Sequence, residues 1–224
     1  MWLLAGWVFS QQPTPQTGAA AEQKTVATPG IPSTGFAGLD QYRAARIAMF
    51  PDDYGQLARY RAANEELKKT PAENRVVFFG DAITDIWKLG QYFPGKPYVN
   101  RGIGGQTTLQ MLVRFRQDVI ELHPKAVVIL AGTNDIAGNT RPMRTEDIEA
   151  DLATMADRAK AHDIPVVFSS ILPVHNYTSK SQDFFAQRPM ARIRELNHWM
   201  KEYCAKNGIV YLDYFSALVD DTGC

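Results

Sequence analysis

The chain has 224 residues, 45% hydrophobic and 21% charged, with 24 Lys plus Arg balanced by 24 Asp plus Glu. This is the composition of an ordinary globular protein with one sizeable core. The zero net charge implies no basic face, so nucleic acid is not an expected partner, and no apolar run reaches the ~20 residues that a membrane-spanning helix needs.

Residues 1–34 read as a leader and linker. Met1 to Phe9 is apolar and is followed by Ser10-Gln11-Gln12, the pattern of a signal-peptide remnant, although the usual basic start is absent. The alternative reading is a disordered end. Gln11 to Thr34 is rich in Pro, Thr, Gln, Gly and Ala, a flexible-linker composition. Together the two segments point to a secreted or periplasmic protein.

Residues 35–224 read as one domain. A short helix is expected around Leu39, Tyr42, Ala45 and Ile47, then a Pro-started helix over 51–69 with Leu57, Tyr60, Ala63 and Leu67 on one face. From there strands and helices alternate. Strands are expected at Val76–Phe79, Tyr98–Asn100, Ala126–Leu130, Pro165–Ile171 and Ile209–Leu212. Helices are expected at 83–89, 107–122, 145–162 and 189–207, the last closed by Asn207-Gly208. Near-continuous apolar strands alternating with helices predict a parallel sheet of five strands covered on both faces, a three-layer α/β/α flavodoxin-like fold. Sheets of that kind carry their chemistry at the carboxyl ends of the strands.

Three such strand ends are distinctive. The first strand runs into Gly80-Asp81-Ala82-Ile83-Thr84-Asp85-Ile86-Trp87. The second runs into Arg101-Gly102-Ile103-Gly104-Gly105-Gln106, and the third into Gly132-Thr133-Asn134-Asp135. Taken singly, a glycine turn or an Asn-Asp cap would explain the second and third. In this order and on these strand ends, the three blocks resemble the SGNH hydrolases, the GDSL-type esterases, lipases and acylhydrolases.

The resemblance implies a serine acyl-enzyme mechanism on carboxylic esters, among which acetyl groups on carbohydrate are a candidate. It implies an oxyanion hole made by the backbone N–H of residue 82, the N–H of Gly105 and the side-chain amide of Asn134. At the nucleophile position, where the family has serine, this chain has Ala82. The resemblance also implies a fourth block, Asp-x-x-His, after the fifth strand, supplying the general base. The sequence here reads Asp213-Tyr214-Phe215-Ser216 and then Asp220-Asp221-Thr222-Gly223-Cys224, with no such block. On that resemblance the domain is C-terminally incomplete, lacking the catalytic loop and a closing helix.

Asp81, Asp85, Trp87 and His175 are the candidate substrate contacts. Asp85 and Trp87 also fit plain structural roles, a helix N-terminal acid and a packing aromatic. His175 lies just past the fourth strand, on the rim of the expected site. His123, His162 and His198 sit in helices or at their ends; Glu195-x-x-His198 reads as an ordinary helical pair. The two cysteines, Cys204 and Cys224, make neither a disulfide framework nor a metal site, and whether they pair stays open. No metal and no cofactor are expected.

Three accounts follow. The chain is an esterase with its serine changed to alanine, or a pseudoenzyme that binds acylated glycans without cleaving them, or a flavodoxin-like module for a phosphate cofactor. The glycines at 102, 104 and 105 favour the third only weakly, because they form no complete phosphate loop and no Lys follows.

Overall fold

Strand β1, Val76–Gly80, is the axis of a five-stranded parallel sheet in this computed structural model, which describes residues 33–71, 73–221 and 223, apart from the Lys180 side chain. The leader and most of the linker, together with Cys224, lie outside the described residues. Ahead of β1 come α1 (Ala37–Ile47), α2 (Phe50–Asp53) and α3 (Ala58–Lys68). After it come α4 (Ala82–Asp85), α5 (Leu89–Tyr92), β2 (Tyr98–Gly102) and α6 (Thr108–Asp118), then β3 (Ala126–Leu130), α7 (Thr133–Ile136) and α8 (Thr145–Lys160). The chain continues through β4 (Val166–Ser169), α9 (Ser179–Ala186), α10 (Met190–Asn207), β5 (Val210–Leu212) and α11 (Tyr214–Leu218).

The strand order is β2-β1-β3-β4-β5. It reverses direction beside β1, which opens a crevice at the carboxyl ends of β1, β2 and β3. The register makes that crevice level: Gly80 pairs with Gly102 of β2 and with Leu130 of β3. The loops leaving these three strands therefore start at one height.

Alternation along the strands sorts the core. Val77, Phe79, Val127, Ile129, Val166 and Phe168 point to one face and are buried against Met111 and Phe115 of α6, Ile148 and Leu152 of α8, and Ile193 and Leu196 of α10. The other face is covered near β1 and β2 by an aromatic cluster, in which Phe78 meets Trp87 and Tyr98, and Phe93 meets both. Toward β5 it is open, with Val210 59% and Leu212 37% exposed. The apolar strands predict cover on both faces, and the resemblance predicts a missing closing helix; among the described residues the second face is covered only in part, with its open part toward β5.

Helix 51–69 is two helices. The chain breaks at Gly55 and Gln56, the latter at φ 53°. Gly55 is buried against α6, where a Cβ would stand 2.7 Å from Val113 Cγ1, so the backbone itself must approach. The Asp53 carboxylate then accepts from the N–H groups of Leu57 and Ala58, restarting the helix as α3. The helix expected over 83–89 is likewise split into α4 and α5. α9 and α11 were not expected from periodicity; each opens on a side-chain cap, Thr178 to the Ser181 N–H and Asp213 to the Ser216 N–H. Cys204 is a buried free thiol, pushed up to about 11 by burial.

A single buried cation ties α6 to the strand ends. The Arg114 guanidinium, 0% exposed, donates to the Gly80 carbonyl at 3.1 Å, the Arg101 carbonyl at 2.8 Å, Gln106 Oε1 at 2.6 Å and Asp118 Oδ2 at 3.0 Å. It lies 4.2 Å over the Phe79 ring. Burial lowers it to about 10, against the raising effect of Asp118.

Candidate active site

The three strand-end blocks converge. Asp81 caps α4: its Oδ1 accepts from the Ile83 N–H at 3.0 Å, which leaves Ala82 as the first residue of that turn. The Ala82 methyl faces the β2 loop, and a Cβ on Gly104 would stand 3.7 Å from it. Gly105 has φ +78°, a conformation L side chains rarely adopt, and the space a Cβ would need there is filled by the Tyr42 hydroxyl. Among the described residues, neither the Ala82 N–H nor the Gly105 N–H has an acceptor, whereas the Gly104 N–H is held by Asp85 Oδ2 at 3.1 Å.

Asn134 is buried, 6% exposed, at the start of the turn that follows β3. Its Nδ2 donates to the Gln106 carbonyl at 3.0 Å and toward Asp81 Oδ2 at 3.4 Å. Its Oδ1 accepts from Asn139 Nδ2 at 3.0 Å and from Arg188 Nη2 at 3.4 Å. Asn139 Nδ2 also donates to the Gly105 carbonyl at 3.1 Å, so one side chain bridges the β2 and β3 loops. Burial raises the Asp81 carboxyl to about 6, opposed by the Ile83 N–H and the Arg188 charge.

The neighbouring Asp135 is fully buried and faces away from the crevice. It accepts from the Thr108 N–H at 3.0 Å and the Thr108 hydroxyl at 2.7 Å, pinning the start of α6. Burial pushes its carboxyl up to about 7. Ala82, Gly105, Asn134 and Asp81 thus form one constellation, while Asp85 and Trp87 support it from behind. Asp85 holds Gly104 and pairs with Arg59 at 3.3 Å, and Trp87 packs on Phe78. His175 is exposed and stacked on Tyr177, and no contact joins it to Ala82, Gly105 or Asn134.

Beside Ala82, an open apolar groove of about 390 Å³ runs along the partly covered sheet face, between Ile83, Ile86, Trp87, Tyr92, Leu172 and Leu218. A second cleft of about 380 Å³ lies at the amino ends of β4 and β5, lined by Asp157, Lys160, Tyr203 and Val210. It contains none of the three blocks, so the crevice around Ala82 is the better candidate despite the similar size.

Sequence reasoning missed Tyr42, Arg43, Asn139 and Arg188. Tyr42 abuts Gly105, and the buried Arg43 donates through Nε to the Gly138 carbonyl at 2.7 Å, so α1 straps the loops after β2 and β3. Arg188 comes from the α9–α10 junction. Only the Gly138-Asn139 turn signal lay in the sequence; a positively charged residue between two helices carries none.

Strand order, a level set of strand-end loops and the Asp81–Asn134 pairing define a parallel-sheet α/β protein of the SGNH hydrolase layout. A model of the GDSL-like lipase/acylhydrolase family matches residues 78–224, and the chain belongs to that family. Among solved structures, a Bacteroides fragilis protein assigned as an acylhydrolase is 39% identical, with a TM-score of 0.69, covering 77% of this chain and 83% of that one. A GDSL-like lipase from Bacteroides thetaiotaomicron is 35% identical, with a TM-score of 0.69, over 76% of this chain and 83% of that one. The uncharacterized lipoprotein YqeF of Bacillus subtilis (strain 168) is 29% identical over 136 residues, 52% of this chain; the match spans 56% of YqeF, about half that protein's length. Among the described residues no helix is long and apolar enough to cross a membrane.

Proposed function

We propose that the crevice around Ala82 is a carboxylic-ester site of the serine-acylhydrolase type, in which the donors are kept and the nucleophile is absent. The observation that carries this reading is the juxtaposition of two unpaired backbone N–H groups, Ala82 and Gly105, with the oriented Asn134 amide. An ester carbonyl under attack develops negative charge on its oxygen. Donors already fixed at that point need no reorganisation, and each is typically worth about 10²–10³ in kcat. The Ala82 N–H serves without a hydroxyl, so the hole survives the alanine.

Alanine forms no acyl-enzyme. No Asp-x-x-His block follows β5 within these residues, and the exposed His175 is not in contact with the site. With alanine at the nucleophile position, the chain binds esters with little or no turnover. Acetylated carbohydrate is the substrate class we assign. Capture of acylated glycans without cleavage is the second reading, favoured by the alanine at the nucleophile position. We assign the protein to the extracytoplasmic side; the apolar start of the chain and the lipoprotein designation of YqeF support this.

The test is kcat on a small acetyl ester for four forms. The chain as it stands and Ala82→Ser alone are expected to be inactive, because a serine without a base is a poor nucleophile. Ala82→Ser in a longer form carrying Asp-x-x-His after residue 224 is expected to gain several orders of magnitude. Adding Asn134→Ala to that form is expected to lose about 10²–10³. Inactivity of the serine-bearing longer form across a broad ester panel would overturn the esterase reading in favour of the binding one.

A further inference from the structure

We infer that Arg188 is a positioning residue for Asn134, holding the amide by its oxygen so that its NH₂ end is turned toward Gln106 and Asp81 at the crevice. An asparagine amide has two nearly isosteric orientations, and only its partners choose between them. Here the choice is made from both ends. The Gln106 carbonyl and the Asp81 carboxylate accept from Nδ2, while Asn139 and Arg188 donate to Oδ1. The flipped amide would set oxygen against oxygen on one side and its NH₂ against a guanidinium on the other.

Arg188 is built for the task. It is 4% exposed, and its Nε donates to the Thr133 hydroxyl at 3.1 Å while its Nη2 reaches Asn134, so one planar fork grips two successive residues. The Phe184 ring closes over it at 3.5 Å, and Nη1 points back to the Phe184 carbonyl at 3.4 Å. A cation at the oxygen end of an amide also polarises it, which strengthens its N–H as a donor. Of the two donors to Oδ1, Asn139 supplies geometry alone; Arg188 adds the charge.

The polarising role rests on the oxyanion reading proposed above, but the positioning role does not, and the experiment separates them. In the 224-residue chain as it stands, side-chain amide exchange of Asn134 is followed by ¹⁵N NMR for wild type and Arg188→Met. The control is Asn197, whose buried amide is held by the Ile171 backbone at 2.7 and 2.9 Å. The expected result is a rise in Asn134 exchange on the order of tenfold, with Asn197 unchanged. Should the methionine variant not fold, Arg188→Lys makes the same test, because a single ammonium does not reproduce the fork. In the serine-bearing longer form, Arg188→Met is expected to lower kcat by about tenfold at unchanged KM, and to cost nothing further once Asn134 is alanine. Unchanged Asn134 exchange, or equal rises at Asn134 and Asn197, would overturn the inference and leave Arg188 as a stitch between helices. Selective exchange at Asn134 without any esterase activity would uphold the positioning role and count against the proposed function.

Discussion

Replacing Asp135 by asparagine should flatten the pH dependence of stability. The Thr108 hydroxyl lies 2.7 Å from Asp135 Oδ1 and 2.9 Å from Asp151 Oδ2. It has one proton, so it satisfies only one of these carboxylates at a time, and the other is better off holding a proton of its own. Burial pushes Asp135 from its ordinary 3.8 to about 7, and burial raises Asp151 as well. The sign follows directly. Between pH 4 and 7 the folded chain keeps a proton on Asp135 that the unfolded chain has released, so stability is greatest at the acid end and falls as pH rises. Each unit of pH removes about 1.4 kcal/mol, which gives about 3 kcal/mol between pH 4.5 and 7 as an upper bound. Asp81, raised to about 6 by burial, acts in the same direction up to that pH. Asp40 and Asp147, lowered by hydrogen bonds to Ser33 and Arg144, act the opposite way, but mainly below pH 4. Asparagine keeps an acceptor for Thr108 and cannot ionise. Urea unfolding at pH 4.5, 5.5 and 7.0 should show wild type losing stability relative to Asp135→Asn as pH rises. Parallel curves for the two proteins, or wild type gaining on the variant, would refute the reasoning.

Two further predictions concern the scaffold of the site. Arg114→Met should cost about 3–5 kcal/mol in urea unfolding, because Asp118 is left buried without its cation, and adding Asp118→Leu should recover a large part of that loss; a cost below about 1 kcal/mol would mean that the carbonyls of Gly80 and Arg101 do not depend on it. Gly105→Ala should cost about 1–2 kcal/mol from the left-handed backbone alone, and more if Tyr42 is displaced, which a rise in Tyr42 ring mobility by NMR would report.

The sequence by itself determined the sheet. Val76–Phe79 and Ala126–Leu130 are unbroken apolar runs of strand length, and such runs have few other stable fates than a buried parallel strand. It determined the three strand-end blocks too, because their chemistry is local: a Gly-Asp turn after a strand, a glycine needing positive φ, an Asn-Asp pair opening a helical turn. Family membership followed from the same residues. Periodicity failed where tertiary contact overrode it, as at Gly55, where packing on Val113 breaks an otherwise continuous helical pattern. The second line of the site was decided only by the tertiary structure. Arg188 and Asn134 are separated by 54 positions, and Tyr42 lies 63 residues before Gly105. Each is fixed by a contact that exists only once the sheet has closed. A hydrogen bond between side chains distant in the chain leaves no spacing to read, since what selects the partner is the buried, otherwise unpaired polar atom it has to meet.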